Sequence, residues 1–215
     1  MTRIIGITSD LHETRHRVSV AYANAVLKGG GTPIILPPLI GEELKYISIC
    51  DGFVFSGGDD PNMERWGLST HPSATVVRKQ RQEFELSLLE KLQPLPEVPV
   101  LGVCLGMQWM GLIAGGILDQ DLSSPIAENH ADTEHAIEGT IGSGLVHSHH
   151  HQAMTTSGNL MVAARADDGM IEAIQDESRS WYVGVQWHPE RTTDEMLGQG
   201  LFDQLVAAAQ SGVTT

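Results

Sequence analysis

The sequence predicts an α/β fold in which a central, mostly parallel sheet carries helices on both faces. Two observations predict it. From Arg3 to Ala114, short apolar segments alternate with segments of helical periodicity. The apolar segments are nearly continuous in Ile, Val, Leu and Phe rather than alternating with polar residues, as expected for strands covered on both faces. After Gly116 the texture changes to short β-like runs.

The elements follow in order. RIIGIT, Arg3 to Thr8, is a first strand. Val18 to Lys28 is a helix, with Val18, Tyr22, Ala25 and Val26 on one face and a stop at Gly29-Gly30-Gly31. TPIIL, Thr32 to Leu36, is a second strand closed by Pro37 and Pro38. Glu42 to Ile49 is a helix, and GFVF, Gly52 to Phe55, is a third strand running into Ser56-Gly57-Gly58-Asp59-Asp60. Arg81 to Leu92 is a helix with Phe84, Leu88 and Leu92 spaced four apart. PVLGV, Pro99 to Val103, is a fourth strand, followed at once by the helix Leu105 to Ala114. Asp119 to Gly144 is polar and receives no element. Leu160 to Ala166, Met170 to Ile174 and Trp181 to Trp187 are β-like, with a turn at Asp167-Asp168-Gly169. Glu195 to Gln210 is the last helix, with Leu197, Leu201, Leu205 and Ala208 on one face.

A length of 215 residues suggests one domain over 1–215. Thirteen Lys and Arg against 27 Asp and Glu leave a formal charge of −14. That argues against nucleic acid and anionic membrane as partners, since both need clustered cations. Hydrophobic residues at 41 % and charged residues at 19 % describe a globular chain. Two cysteines, Cys50 and Cys104, do not make a disulfide scaffold. The apolar run Ile4 to Ile7 is too short for a signal peptide, and no run approaches a membrane span. A cytoplasmic location is expected.

Gly102-Val103-Cys104-Leu105-Gly106 lies between a strand and a helix. With serine in place of cysteine, this G-x-C-x-G spacing is the nucleophile elbow, a sharp turn that lifts the nucleophile clear of the sheet. The helix N-terminus behind Cys104 favours a thiolate, and the Leu105 N–H faces an oxyanion formed there. A buried inert thiol is the plainer alternative. Cys50 has no glycine turn and reads as core. WYVGVQWHPE places His188 and Glu190 two apart in extended chain, so that both project to one side. Glu190 can then hold the histidine as a triad carboxylate does.

GVCLGMQ at 102–108 with GVQWHPE at 184–190 resembles the class I glutamine amidotransferase-like superfamily. More closely, the chain resembles the γ-glutamyl-γ-aminobutyrate hydrolase group, through IIGIT, TPIILPP, DGFVFSGGDDP, RQEFELSLL, AGGILDQDL, SHHHQ and DDGMIEAI. The resemblance implies a flavodoxin-like sheet with flanking helices plus a small antiparallel sheet. It implies Cys104 as nucleophile, His188 as base and acid, and Glu190 as its orienter. It also implies an oxyanion hole from the N–H groups of Leu105 and Gly58. The substrate would be a small γ-glutamyl compound, with no metal or organic cofactor. A homodimer is compatible with this reading, and the segment from Asp121 to His147 is shorter than in relatives.

VHSHHHQ at 146–152 holds four of the ten histidines. Adjacent histidines in extended chain alternate faces and converge poorly on one ion, even with His130 and His135 nearby. The family match instead sets Ser148 and His150 against the γ-glutamyl pocket, with His147 where relatives have asparagine. Gln108, one helical turn after Cys104, can reach the same substrate. Arg17, Arg65, Arg78, Arg81 and Arg191 are all candidates for its α-carboxylate. The rivals are a glutaminase delivering ammonia to a synthase partner, a non-catalytic binding protein on the same fold, and a histidine-dependent metal protein.

Overall fold

A computed structural model describes residues 2–211, with side chains over 2–209. The strands are β1 (Ile4–Thr8), β2 (Asp10–His12), β3 (Arg15–Arg17), β4 (Thr32–Leu36), β5 (Gly52–Phe55), β6 (Val100–Val103), β7 (Ile117–Asp119), β8 (Ala131–Gly139), β9 (Gly142–His149), β10 (Ala153–Thr156), β11 (Met161–Ala166), β12 (Ile171–Gln175) and β13 (Tyr182–Val185). The α-helices are α1 (Val20–Lys28), α2 (Glu43–Ile49), α3 (Lys79–Leu92), α4 (Leu105–Ile113), α5 (Ile126–Asn129) and α6 (Gln199–Ser211).

Nine strands form one sheet in the order β4-β1-β5-β6-β13-β12-β11-β8-β9. The four pairings from β4 to β13 are parallel, and the four from β13 to β9 are antiparallel. The antiparallel strands therefore continue the main sheet. Two further small antiparallel sheets pair β7 with β10 and β2 with β3. Successive residues of β5 face opposite layers, as the strand period requires. Val54 packs with Tyr22 and Val26 of α1 and with Leu201, Phe202 and Leu205 of α6. Phe53 and Phe55 pack with Phe84 and Leu88 of α3 and with Leu105 and Trp109 of α4. Helices on both faces thus cover the near-continuous apolar strands.

Local chemistry sets the boundaries. Ser19 caps α1 by accepting the Ala21 N–H, and Gly30 leaves that helix at φ 84. The last helix begins later than Glu195, because Asp194 Oδ1 accepts the N–H groups of Met196 and Leu197 in a preceding turn. Leu197 is buried all the same. The segment 119–144, which received no element from sequence, contains the end of β7, the one-turn helix α5, β8 and the start of β9. Most of β8 is exposed or half-buried, with Ile137 its one buried residue, so the polar composition belongs to an edge hairpin rather than a loop. The β2–β3 hairpin was unread for the same reason, since its residues are exposed or half-buried.

Candidate active site

The parallel strands β1, β5, β6 and β13 end on one side of the sheet, where open α/β sheets place their ligands. Cys104 follows β6 directly, at φ 50 and ψ −104. A non-glycine residue is rarely held there, at a cost of about 1–3 kcal/mol. The surroundings enforce the turn. A Cβ at Gly102 would lie 2.4 Å from Met110 Sδ, and one at Gly106 would lie 2.3 Å from the Phe55 carbonyl oxygen. Only bare backbone lets α4 start this close to β5 and β6. The Cys104 N–H donates to the Val185 carbonyl at 2.8 Å, which ties the elbow to β13.

The chain leaving β13 then carries Gln186, Trp187 and His188 past the thiol. Trp187 is anchored by its indole N–H on the Leu197 carbonyl at 2.9 Å, and the His188 N–H donates to the His147 carbonyl at 2.9 Å. His188 Nδ1 meets Glu190 Oε1 at 2.8 Å, and the Glu190 side chain is fully buried. Burial lowers the His188 pKa, but interaction with Cys104 and Glu190 outweighs it and pushes the value up to about 9. An imidazole so placed is protonated at neutral pH and held in one orientation.

The Ser56–Gly58 loop crosses close to both groups. A Cβ on Gly57 would lie 2.9 Å from His188 Cε1 and 3.5 Å from Cys104 Cβ. The loop is gripped from below by Arg81, whose guanidinium is wholly buried. Arg81 Nη2 donates to the carbonyls of Ser56 and Gly57 at 2.9 and 3.1 Å, and its Nε donates to Glu85 Oε1 at 3.1 Å. Glu85 also accepts the Trp109 indole N–H at 2.8 Å. Gly58 sits against Leu105, whose Cδ2 would be 3.1 Å from a Cβ on that glycine.

A cleft of about 430 Å³ opens here, lined by Cys104, His188, Gly57, Gly58, Tyr22 and Arg81 among others. A second cavity of about 350 Å³ shares Cys104 and Gly58 with it and adds Gln108 and His150. The two cavities flank the thiol.

The structure thus brings together Cys104, His188, Glu190, Gly58, Leu105 and Gln108. Gln108 is nevertheless turned toward Gln186, whose Oε1 accepts its side-chain N–H at 3.3 Å. His150 lines the second cavity but is engaged elsewhere: Nδ1 meets the Gln152 carbonyl at 2.8 Å, and Nε2 faces Glu172 at 3.5 Å. Ser148 does not reach either cavity. It lies within β9, where strand alternation turns its side chain into the interior. Of the five arginines, Arg17, Arg81 and Arg191 line the cleft. Arg65 pairs with Glu90 of α3 and lines neither cavity, and Arg78 is exposed at the start of that helix. Cys50 is buried, and burial followed by the Asp51 charge raises its thiol pKa to about 12, as befits a core cysteine.

Sequence reasoning missed two contributors. The Tyr22 hydroxyl accepts the Gly57 N–H at 3.1 Å, and burial followed by the Glu190 charge holds its pKa well above the usual value. Its helical spacing marked it only as core. Gln186 directs Nε2 at Cys104 Sγ, 3.5 Å away. A glutamine within an otherwise apolar buried run was the available signal.

The profile of a family described as Peptidase C26 matches residues 3–190. A glutamine amidotransferase-like protein of Rickettsia prowazekii is 26 % identical over 275 aligned positions, covering 96 % of this chain and 98 % of that protein. That alignment is longer than the 215 residues here, so the relative carries insertions. The γ-glutamyl-γ-aminobutyrate hydrolase PuuD of Escherichia coli K12 is 26 % identical over 217 positions, covering 88 % of this chain and 85 % of that enzyme. A crystal structure of a glutamine amidotransferase from Thermotoga maritima shares the fold at TM-score 0.64 and 14 % identity, covering 88 % of this chain and 77 % of that one.

Proposed function

This chain belongs to the Peptidase C26 family of glutamine amidotransferase-like hydrolases, and from that premise we propose that it cleaves the γ-glutamyl amide bond of small γ-glutamyl compounds. The observation that carries the reading is a cysteine held at positive φ beside a buried His188–Glu190 pair, at the floor of an open cleft.

Cys104, His188 and Glu190 act as the triad. The Cys104 sulfur, with the proton resident on His188, attacks the γ-amide carbon. Negative charge develops on the carbonyl oxygen, toward the N–H groups of Leu105 and Gly58. The Gly57 N–H is already taken by Tyr22, so Gly58 is the donor from that loop. His188 gives its proton to the leaving amine as the C–N bond breaks, leaving a γ-glutamyl thioester. Water then loses a proton to His188 and cleaves the thioester. Glu190 fixes the ring on Nδ1 so that Nε2 faces the reaction throughout. Arg17 and Arg191 are the exposed cations at the cleft mouth that suit the α-carboxylate, while Arg81 is largely occupied with the loop.

Relatives that carry the name glutamine amidotransferase favour a second reading, release of ammonia from glutamine, which on this chain would serve a synthase partner. One experiment tests both. Purified chain is offered a panel of γ-glutamyl amides and, separately, free glutamine, with no partner present. The proposal expects amide hydrolysis that falls to background in Cys104→Ala. Equal hydrolysis by Cys104→Ala would overturn it, and turnover of glutamine alone would favour the rival.

A further inference from the structure

Outside the cleft, three histidines converge on the buried Glu172 at ion-pair distances, and their inward-facing atoms make no hydrogen bonds among the described residues. Glu172 lies on β12 and is fully buried. His130 precedes β8, His135 lies on it, and His150 follows β9. His130 Nδ1 is 3.4 Å and His150 Nε2 is 3.5 Å from Glu172 Oε1, and His135 Nε2 is 3.6 Å from Glu172 Oε2. None of these four atoms of His130, His150 and Glu172, nor either nitrogen of His135, has a hydrogen-bond partner among the described residues.

Polar atoms left without partners at such depth are costly, those of a carboxylate most of all, so a cluster of them calls for a common partner. The spacings are long for hydrogen bonds. They do suit the edge of a tetrahedron around zinc, which at ordinary Zn–N and Zn–O lengths is about 3.3 Å. The candidate ligand atoms of His130, His135 and Glu172 all lie within 4.8 Å of one another; His150 falls outside that group and approaches it through Glu172 Oε1 at 3.5 Å, so a small shift of its ring completes the set.

The outward-facing nitrogens strengthen the case. His130 Nε2 meets Asp168 Oδ2 at 2.9 Å, and His150 Nδ1 meets the Gln152 carbonyl at 2.8 Å. Metal-bound histidines are usually held in this way, with the far nitrogen on a carboxylate or a backbone carbonyl. Those contacts direct His130 Nδ1 and His150 Nε2 inward, at Glu172.

We propose that His130, His135 and Glu172, with His150 as fourth ligand, form a structural site for a divalent first-row cation, zinc fitting best. Three imidazoles and one carboxylate suit zinc's borderline character, and four protein ligands close the site against catalysis. The ion fastens the edge hairpin β8–β9 to β12, beside the second cavity. Only one histidine of the 147–151 run takes part. The expectation that this run would not converge on an ion concerned neighbours in sequence, whereas these ligands come from three separate segments.

The test uses the full chain, stripped with a chelator and exchanged into metal-free buffer, then titrated with ZnCl2 and with CoCl2 as a coloured probe. One tight equivalent is expected, with visible cobalt absorption of four-coordinate type and a Tm that rises with zinc. The same equivalent is expected in Cys104→Ala and in the double variant His149→Ala/His151→Ala, which remove competing ligands. His135→Ala changes a half-buried position, so it should remain folded by circular dichroism while weakening zinc by more than about 100-fold, since loss of an outer partner alone costs about 10–100-fold. Asp168→Asn should weaken it by that smaller factor. The proposal is overturned if the stripped wild-type chain takes up no equivalent, if folded His135→Ala retains it, or if Cys104→Ala or the double variant loses it.

Discussion

Strain at Cys104 makes a prediction that separates chemistry from stability. At φ 50 and ψ −104 the residue lies outside even the left-handed helical region, where only glycine is at ease. Cys104→Ala and Cys104→Gly both remove the sulfur, so both should be inactive. They differ in the Cβ that causes the strain. Relief of a conformation this far from the allowed wells falls in the upper half of a range of about 1–3 kcal/mol. Glycine gives back about 0.5–1 kcal/mol through its freer unfolded chain. The net expectation is that Cys104→Gly exceeds Cys104→Ala by about 1–2 kcal/mol. In a chain of this size that is a Tm difference of roughly 2–8 °C. Urea unfolding of the two variants at neutral pH, with equal m-values, gives the difference directly. If alanine proves as stable as glycine, Cys104 is not strained and the elbow argument loses its physical basis.

Other consequences follow from the same geometry. The folded His188 pKa of about 9 lies above an unfolded value of about 6.5, so its contribution is fully present below pH 6.5 or so and is lost as pH rises through about 9. Unfolding free energy should fall by up to about 3 kcal/mol across that window, and by clearly less in Glu190→Gln. Arg81→Leu leaves Glu85 buried without its cation and frees the Ser56–Gly58 loop; a loss of about 3–5 kcal/mol in urea unfolding is expected, partly recovered by adding Glu85→Gln. Gly106→Ala sets a Cβ 2.3 Å from the Phe55 carbonyl oxygen, backbone that cannot step aside. It should cost about 1–3 kcal/mol by the same measurement and lower turnover further, since the elbow must shift.

The parallel half of the sheet was legible because burial on both faces writes itself as unbroken apolar runs; β4 and β5 fall where the sequence sets them, at Thr32–Leu36 and Gly52–Phe55. The elbow was legible because a close approach of backbones admits only glycine at 102 and 106. The edge hairpin was not, since β8 buries little and its polar surface resembles a loop. Side-chain direction was equally hidden. Motif matching set both Ser148 and His150 against the pocket, but β9 ends at His149, and beyond it the chain carries His150 to the second cavity and Glu172 while Ser148 stays buried within the strand. The partnership of Gln186 with Cys104 depends on β13 lying beside β6, a pairing that no local pattern encodes.

The formal charge of −14 opposes an acidic substrate such as the one proposed, but distance and screening remove most of the conflict. At physiological salt the Debye length is about 8 Å, so the excess carboxylates spread over the surface act weakly on a ligand in the cleft. What matters is the local balance. Arg17, Arg81, Arg191 and the protonated His188 meet at the cleft, opposed there by Asp10 and Asp59. Asp10 is already engaged, with Arg17 at 3.3 Å and Arg81 at 3.6 Å. The buried Glu190 is matched by His188 at 2.8 Å and Arg191 at 3.5 Å. The cleft is therefore far less acidic than the chain as a whole. Recognition of the proposed γ-glutamyl substrate would then depend on donors within a few ångströms of it, where a fixed N–H or guanidinium in a partly dry site outweighs many distant charges.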